Sequence, residues 1–233
     1  MKKIRIEGID IDLVRKGIKN IHLTVYPPDG RVRLAVPRHM DDEEARNFAL
    51  TKLTWIIKQK KKYTTGETEA AKVYKTGESH YYLGEKYILE VIEKKGKDHL
   101  ELRDEQYMDL YVRPGNTIKK REKIMSEWYR QKLKEIIPSY IEKWEKIIGV
   151  KVNEFGIKKM KTRWGTCNTR DKRIWINLEL AKKAPRCLEY IIVHEMVHLL
   201  ERHHNKAFKD YMSEFLPEWK SIKNELNGIS LHK

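Results

Sequence analysis

Two cysteines, Cys167 and Cys187, are all the chain contains. They are too few and too far apart to staple a small secreted domain with disulfides. Long apolar runs are missing as well: nothing approaches the roughly 20 consecutive apolar residues that cross a bilayer, and the mean hydropathy is −0.73. The opening MKKIRIEGIDIDLVRK is basic but has no continuous apolar core, so it does not read as a signal peptide. A soluble cytoplasmic protein without a membrane partner is expected. Acidic residues are also scarce, with 34 Asp and Glu against 49 Lys and Arg in 233 residues, a net charge of +15. That balance favours anionic partners such as nucleic acid, nucleotides or acidic proteins. The charged residues, 36% of the total, are spread along the chain rather than gathered in a tail, and a solvated basic surface accounts for them equally well.

No internal repeat or low-complexity segment is visible, and the local patterns change along the chain. IRIEGIDIDLV, NIHLTVY and RVRLAVP alternate with period two around the PPDG turn at 27–30, which predicts an antiparallel meander with one solvated face. From Asp41 to Tyr63, Ala45, Phe48, Leu53, Ile56 and Ile57 recur at helical spacing, with acids at the start and lysines at the end, as one helix requires. The KQKKK run at 58–62 reads as its solvated end, or as a contact for nucleic acid. YYLGEKYILEVIE and HLELRDEQYMDLYVRP return to strand spacing around Gly84 and Gly96. At Pro114-Gly115-Asn116 the pattern switches to a helix over Ile118–Ile148, broken or kinked at Pro138. A hairpin around Asn168–Lys172, a helix over the VHEMVHLL segment and an amphipathic helix from about Lys206 to Leu226, interrupted near Pro217, complete the chain. Strands followed by mixed elements predict an α+β fold, divided into a β-rich region at 1–115 with one long helix and a second domain at 116–233.

Within VHEMVHLLERHH, residues 193–204, polar groups sit in a stretch that is otherwise almost wholly apolar. A buried polar group without a partner costs about 2–7 kcal/mol, so something must compensate. On a helix His194 and His198 lie on one face, about 6 Å apart along the axis, and both imidazoles can bind one ion. Zn2+ accepts imidazole nitrogen and imposes no geometry that a helix violates. Glu195 falls beside such an ion without pointing at it, placed to take a proton from water that the ion acidifies; this is the mechanical content of His-Glu-x-x-His. A third protein ligand is needed to leave one position for water. His204 is favoured, because the helix should end before it and let the chain turn back. His203, Glu214 and Glu218 compete with it. In Arg163-Trp164-Gly165-Thr166-Cys167, the glycine suits a close backbone approach at a strand end, Arg163 suits an ion pair or a substrate anion, and Cys167 a small buried group or an extra ligand. Tyr211 reads as core, or as an oxyanion partner.

RWGTC at 163–167, IWINLEL at 174–180 and LEYIIVHEMVHLLERHHNKAF at 188–208 together resemble the YgjP-like metallopeptidases, relatives of the SprT-like zinc proteases. DGRVRLAVP, KLTWIIKQKKKY and YYLGEKYILEV extend the resemblance over nearly the whole chain, most specifically from Arg163 to Phe208. The resemblance implies a zincin-like catalytic domain, one Zn2+ per chain on His194, His198 and His204, and Glu195 as general base. Better-studied proteases with this three-His spacing have Gly where this chain has Glu201. The expected activity is hydrolysis of peptide or protein substrates, with the strand from Arg173 to Leu180 holding an extended peptide if it borders the cleft. Two other readings stand beside it: a metal-dependent nucleotide (phosphoanhydride) hydrolase, and a nucleic-acid-binding protein whose zinc is structural and closed by a fourth ligand such as Cys167.

Overall fold

The computed structural model describes residues 2–26, 29–64 and 73–228; Pro27 and Pro28 of the expected turn lie outside the described residues. The chain divides into two units, Met1–Lys72 and Val73–Lys233. In the first, strands β1 (Lys2–Ile6) and β2 (Ile9–Lys16) meet through Glu7 and Gly8, whose φ values of 45° and 77° give the twist of a two-residue hairpin. Strands β3 (His22–Tyr26) and β4 (Arg31–Pro37) form a second hairpin. The order is β1-β2-β4-β3 with β2 and β4 parallel, so the expected antiparallel meander is replaced by two hairpins side by side. Period two turns Ile4, Ile6, Ile11, Leu13, Val32 and Leu34 to one core.

The single helix expected from Asp41 to Tyr63 is two, α1 (Asp42–Thr51) and α2 (Leu53–Thr64). Asp41 caps α1 reciprocally with Glu44: each carboxylate accepts the other residue's backbone N–H, at 2.8 and 3.0 Å. At the break the Thr51 hydroxyl donates to the Phe48 carbonyl at 2.7 Å, and the Lys52 N–H reaches Ala49 O at 3.1 Å rather than continuing the ladder. The change of direction lets Ala45, Ala49 and Ile56 all reach the core of the first sheet.

In the second unit, β5 (Ser79–Tyr82), β6 (Glu85–Glu93), β7 (His99–Arg103) and β8 (Tyr107–Val112) form a sheet of order β5-β6-β8-β7, with β6 and β8 parallel. Helix α3 spans Ile118–Ile148, capped by Thr117 and ended by Gly149 at φ 75°. Pro138 does not break it: Pro138 and Lys134, whose carbonyl loses its helical partner, are both exposed, so water can satisfy that carbonyl. Met125, Leu133 and Ile137 of α3 share one core with Leu89, Met108 and Leu110 of the sheet and with Leu188 and Ile192 further on. The strands before Pro114–Gly115 and the helix after it bury each other's apolar faces in one core, and the two compact units divide between Lys72 and Val73.

A third sheet has the order β10-β11-β9, from β9 (Glu154–Lys158), β10 (Gly165–Asn168) and β11 (Arg173–Asn177). The expected hairpin is β10–β11, and β9 adds to it in parallel. The strand expected to run to Leu180 stops at Asn177 and passes into a 3-10 turn, Leu178–Lys182. Helices α4 (Pro185–Val197), α5 (Lys206–Phe215) and α6 (Trp219–Gly228) follow. With three mixed sheets and six α-helices among the described residues, the fold is α+β. No helix among them is long and apolar enough to cross a membrane.

Candidate active site

Helix α4 is apolar nearly all round, and Leu188, Ile192, Val193, Met196 and Val197 are fully buried. Its only acidic residue in the last two turns, Glu195, is 4% exposed. The helix ends at Val197, with His198 as its cap. Past it, the Leu200 and Glu201 N–H groups turn back to the Val197 carbonyl at 2.9 and 3.0 Å. Asn205 then caps α5 by accepting the Phe208 N–H at 3.0 Å. This tight reversal carries His204 to the helix it has just left.

His194, His198 and His204 come together, each offering one ring nitrogen within 4.8 Å of the others. The Nε2 atoms of His194 and His204 face each other at 2.9 Å. His198 Nδ1 lies 3.2 Å from the Glu201 carbonyl, which holds a proton on Nδ1 and leaves Nε2 with its lone pair free. Phe208, absent from the candidate residues above, lies beneath all three rings, with centroids 4.9, 4.7 and 4.7 Å from those of His194, His198 and His204. Glu201 does not hinder the turn: its φ is not positive, so no glycine is required there, and its carboxylate accepts the His203 N–H at 2.9 Å. His203, Glu214 and Glu218 lie outside this group.

The donors suit a divalent cation. Burial, then the neighbouring His198, His204 and Lys223, push His194 down to about 3, so it is neutral and able to ligate at any physiological pH. His198 and His204 are also lowered, burial being the largest cause in each. The buried His194 Nδ1 has no hydrogen-bond partner among the described residues, and an ion on the opposite nitrogen would leave the proton on Nδ1 and replace the close contact between His194 and His204 Nε2. Burial pushes the Glu195 carboxyl up to about 8, with Arg163 pulling it back.

These groups line a cleft of about 770 Å³ together with Arg163 to Thr169, Arg202 and Lys223. Cys167 reaches the cleft but not the three-nitrogen group, and burial pushes its thiol up to about 12. Tyr211 instead stacks on Phe215, with centroids 6.1 Å apart, and does not reach the cleft. The strand that borders the cleft is β10, at the sheet edge; β11, expected to hold a peptide, is paired on both sides and has no free edge.

A family model described as YgjP-like, metallopeptidase domain, matches residues 19–228. The chain belongs to the YgjP-like metallopeptidase family. No curated protein matches it. Among solved structures, the metallopeptidase zymogen abylysin of Pyrococcus abyssi is similar at 19% identity and a TM-score of 0.37, over 39% of this chain and 91% of that one. Membership makes this YgjP-like chain a metal-dependent peptidase at the level of the family. One of its most constrained residues escaped the sequence reading. Asn177 is fully buried; its amide donates to Met160 O at 2.9 Å and Arg163 O at 2.7 Å, and its carbonyl oxygen accepts the Met160 and Glu179 N–H groups, at 3.3 and 3.2 Å. It fixes the approach to β10 in this YgjP-like fold, and its signal was a lone amide inside the apolar run IWINLEL.

Proposed function

We propose that the chain is a zinc-dependent endopeptidase of the cytoplasm, with one ion held by His194, His198 and His204 and Glu195 as its general base. The convergence of three neutral imidazoles beside a buried carboxylate, in a cleft bordered by a free strand edge, carries this reading. When bound, the ion supplies a Lewis acid that polarises the scissile carbonyl and makes water easier to deprotonate. Glu195 takes the proton of the attacking water and later delivers it to the leaving amine. Burial raises its proton affinity, and the charge of a bound ion beside it would lower it again, leaving a carboxylate ready to accept that proton. An extended substrate pairs with the free edge of β10, which orients the carbonyl without demanding a particular side chain. His198 keeps its ring orientation through the Glu201 carbonyl, and Phe208 holds the three rings in place.

The experiment is zinc content and chelator-sensitive hydrolysis of unfolded protein by the wild type, His204→Ala and Glu218→Ala. The ion and the activity should be lost in the first variant and kept in the second; the reverse result would move the third ligand to Glu218, in the turn before α6. A second reading, phosphoanhydride hydrolysis, draws on the three cations Arg163, Arg202 and Lys223 that line the same cleft. Pyrophosphate release from nucleoside triphosphates, with no cleavage of any polypeptide, would favour it. The structural-zinc reading requires a fourth protein ligand, and Cys167 lies outside the donor group.

A further inference from the structure

The backbone at Gly165 has no need of glycine: its φ is not positive, and it pairs with Ile176 as an ordinary member of the antiparallel β10–β11 ladder. Any residue could adopt that conformation. What glycine supplies is the missing side chain. A Cβ built at Gly165 would stand 2.5 Å from Glu195 Oε1, 2.8 Å from its Cγ and 2.9 Å from its Cδ, distances that real Cβ atoms essentially never show. Among the other glycines whose surroundings are described, none has an atom of Glu195 among the three nearest to its Cβ position.

We infer that Gly165 is a positioning residue for the reaction: its bare Cα forms one wall of the slot that holds the Glu195 carboxylate in its working place. The inference rests on the role proposed for Glu195. Either the strand or the side chain must give way when a methyl group is added. The strand is held by its pairing with β11, by the Asn177 N–H on Trp164 O at 2.9 Å and by the Asn177 amide on Arg163 O at 2.7 Å. The Glu195 carboxylate has no hydrogen-bond partner among the described residues to anchor it against that push. It therefore moves. Because it is 4% exposed, it cannot swing freely into water and must take another rotamer within the cleft. The three atoms nearest the added methyl all belong to Glu195, and the three histidines approach from α4 and from the turn before α5. The substitution should thus separate proton transfer from ion binding.

The test is Gly165→Ala, alone and combined with Glu195→Ala, on protein supplied with zinc. On a fluorescence-quenched peptide that the wild type cleaves, Gly165→Ala should lower kcat by about 10²-fold, the scale of a misplacement near 1 Å. KM should change by less than about threefold, and zinc content should equal that of the wild type. Thermal stability gives a second readout that needs no activity. The methyl should lower Tm by roughly 4 °C where Glu195 is present, an overpacking cost spread over a chain of this size, and by clearly less in the Glu195→Ala background, where the slot is vacant. Unfolding of the single variant with rescue in the double variant would carry the same meaning. Unchanged kcat, loss of zinc, or an equal loss of Tm in both backgrounds would overturn the inference, as would failure of both variants to fold. Should the wild type cleave no peptide, the proposed function fails, and the Tm cycle still decides whether Gly165 shapes the slot.

Discussion

The sheets β1-β2-β4-β3 and β5-β6-β8-β7 follow one plan: two hairpins side by side, with the second strands of each parallel. Each carries a buried aspartate paired with an arginine, Asp12 with Arg31 at 2.5 Å and Asp109 with Arg103 at 2.7 Å. They differ in what covers them. The first sheet closes its core with the short helices that follow directly, α1 and α2, in a cluster of its own. The second gives its apolar face to α3, whose buried residues continue into the core around α4. One arrangement makes a self-contained unit; the other makes a foundation for chemistry. Topology thus does not decide whether a sheet supports a site. What differs is the covering helix: α3, at 31 residues against 10 and 12 in α1 and α2, is long enough to run from the sheet into the core around α4.

The contrast can be broken most sharply at the site. Glu195→Gln should lower peptide hydrolysis by about 10²–10⁴-fold while zinc content and the stability of both units stay at wild-type level; hydrolysis at the wild-type rate would take Glu195 out of the reaction. Next come the two cores. Leu110→Ala and Leu34→Ala, both at fully buried positions, should each destabilise their own unit by about 2–5 kcal/mol. In thermal scans followed by zinc release and residual hydrolysis, only the first should lower the temperature at which the ion is lost. If Leu34→Ala lowers it equally, the two cores unfold as one. Asn177→Ala should cost about 3 kcal/mol by leaving the Arg163 and Met160 carbonyls and two N–H groups unpaired, with β10 losing its hydrogen-exchange protection before β9 does.

The smallest effect concerns acid. Burial pushes the Glu145 carboxyl up, but Lys151 at 2.7 Å and the Val152 N–H at 2.8 Å outweigh it, and the net result is below the ordinary 4.5. A lowered carboxylate stabilises the fold fully above its unfolded value and loses that contribution as pH falls through the folded value. Glu145→Gln should therefore cost less than about 1 kcal/mol at pH 7 and nothing once the pH is well below 4.5, a difference read from urea midpoints along the acid limb.

Much of the site was legible because its signals are local. His194, Glu195 and His198 are read from spacing, and His204 from the expected reversal after the helix. The turn at Gly84 was legible for the same reason, whereas the hairpin at Glu7–Gly8 passed as one unbroken alternating run. Strand order was not: RVRLAVP alternates in the same way whether a parallel or an antiparallel neighbour lies beside it, so the β2–β4 and β6–β8 pairings left no trace. EFGIK, which becomes β9, is too short to show a period. The split of the 41–63 helix depended on one hydroxyl, that of Thr51, and the division at Lys72 on which face of α3 the second sheet would meet. Phe208 and Asn177 matter through contacts that reach 14 and 17 residues along the sequence, to His194 and to Met160, beyond the period of any local pattern.

Helix α4 also acts through its direction. Thirteen residues long, it ends at Val197 with His198 as its cap, so the carbonyl pole of the helix, about half an elementary negative charge, lies beside the histidines that line the cleft. A dication held among the imidazoles would lie in the field of that pole and be drawn to it, though none of the rings need be charged. An anionic group on a substrate would meet the same pole with the opposite sign, and the guanidinium and ammonium groups of Arg163, Arg202 and Lys223 on the cleft wall are what offsets it.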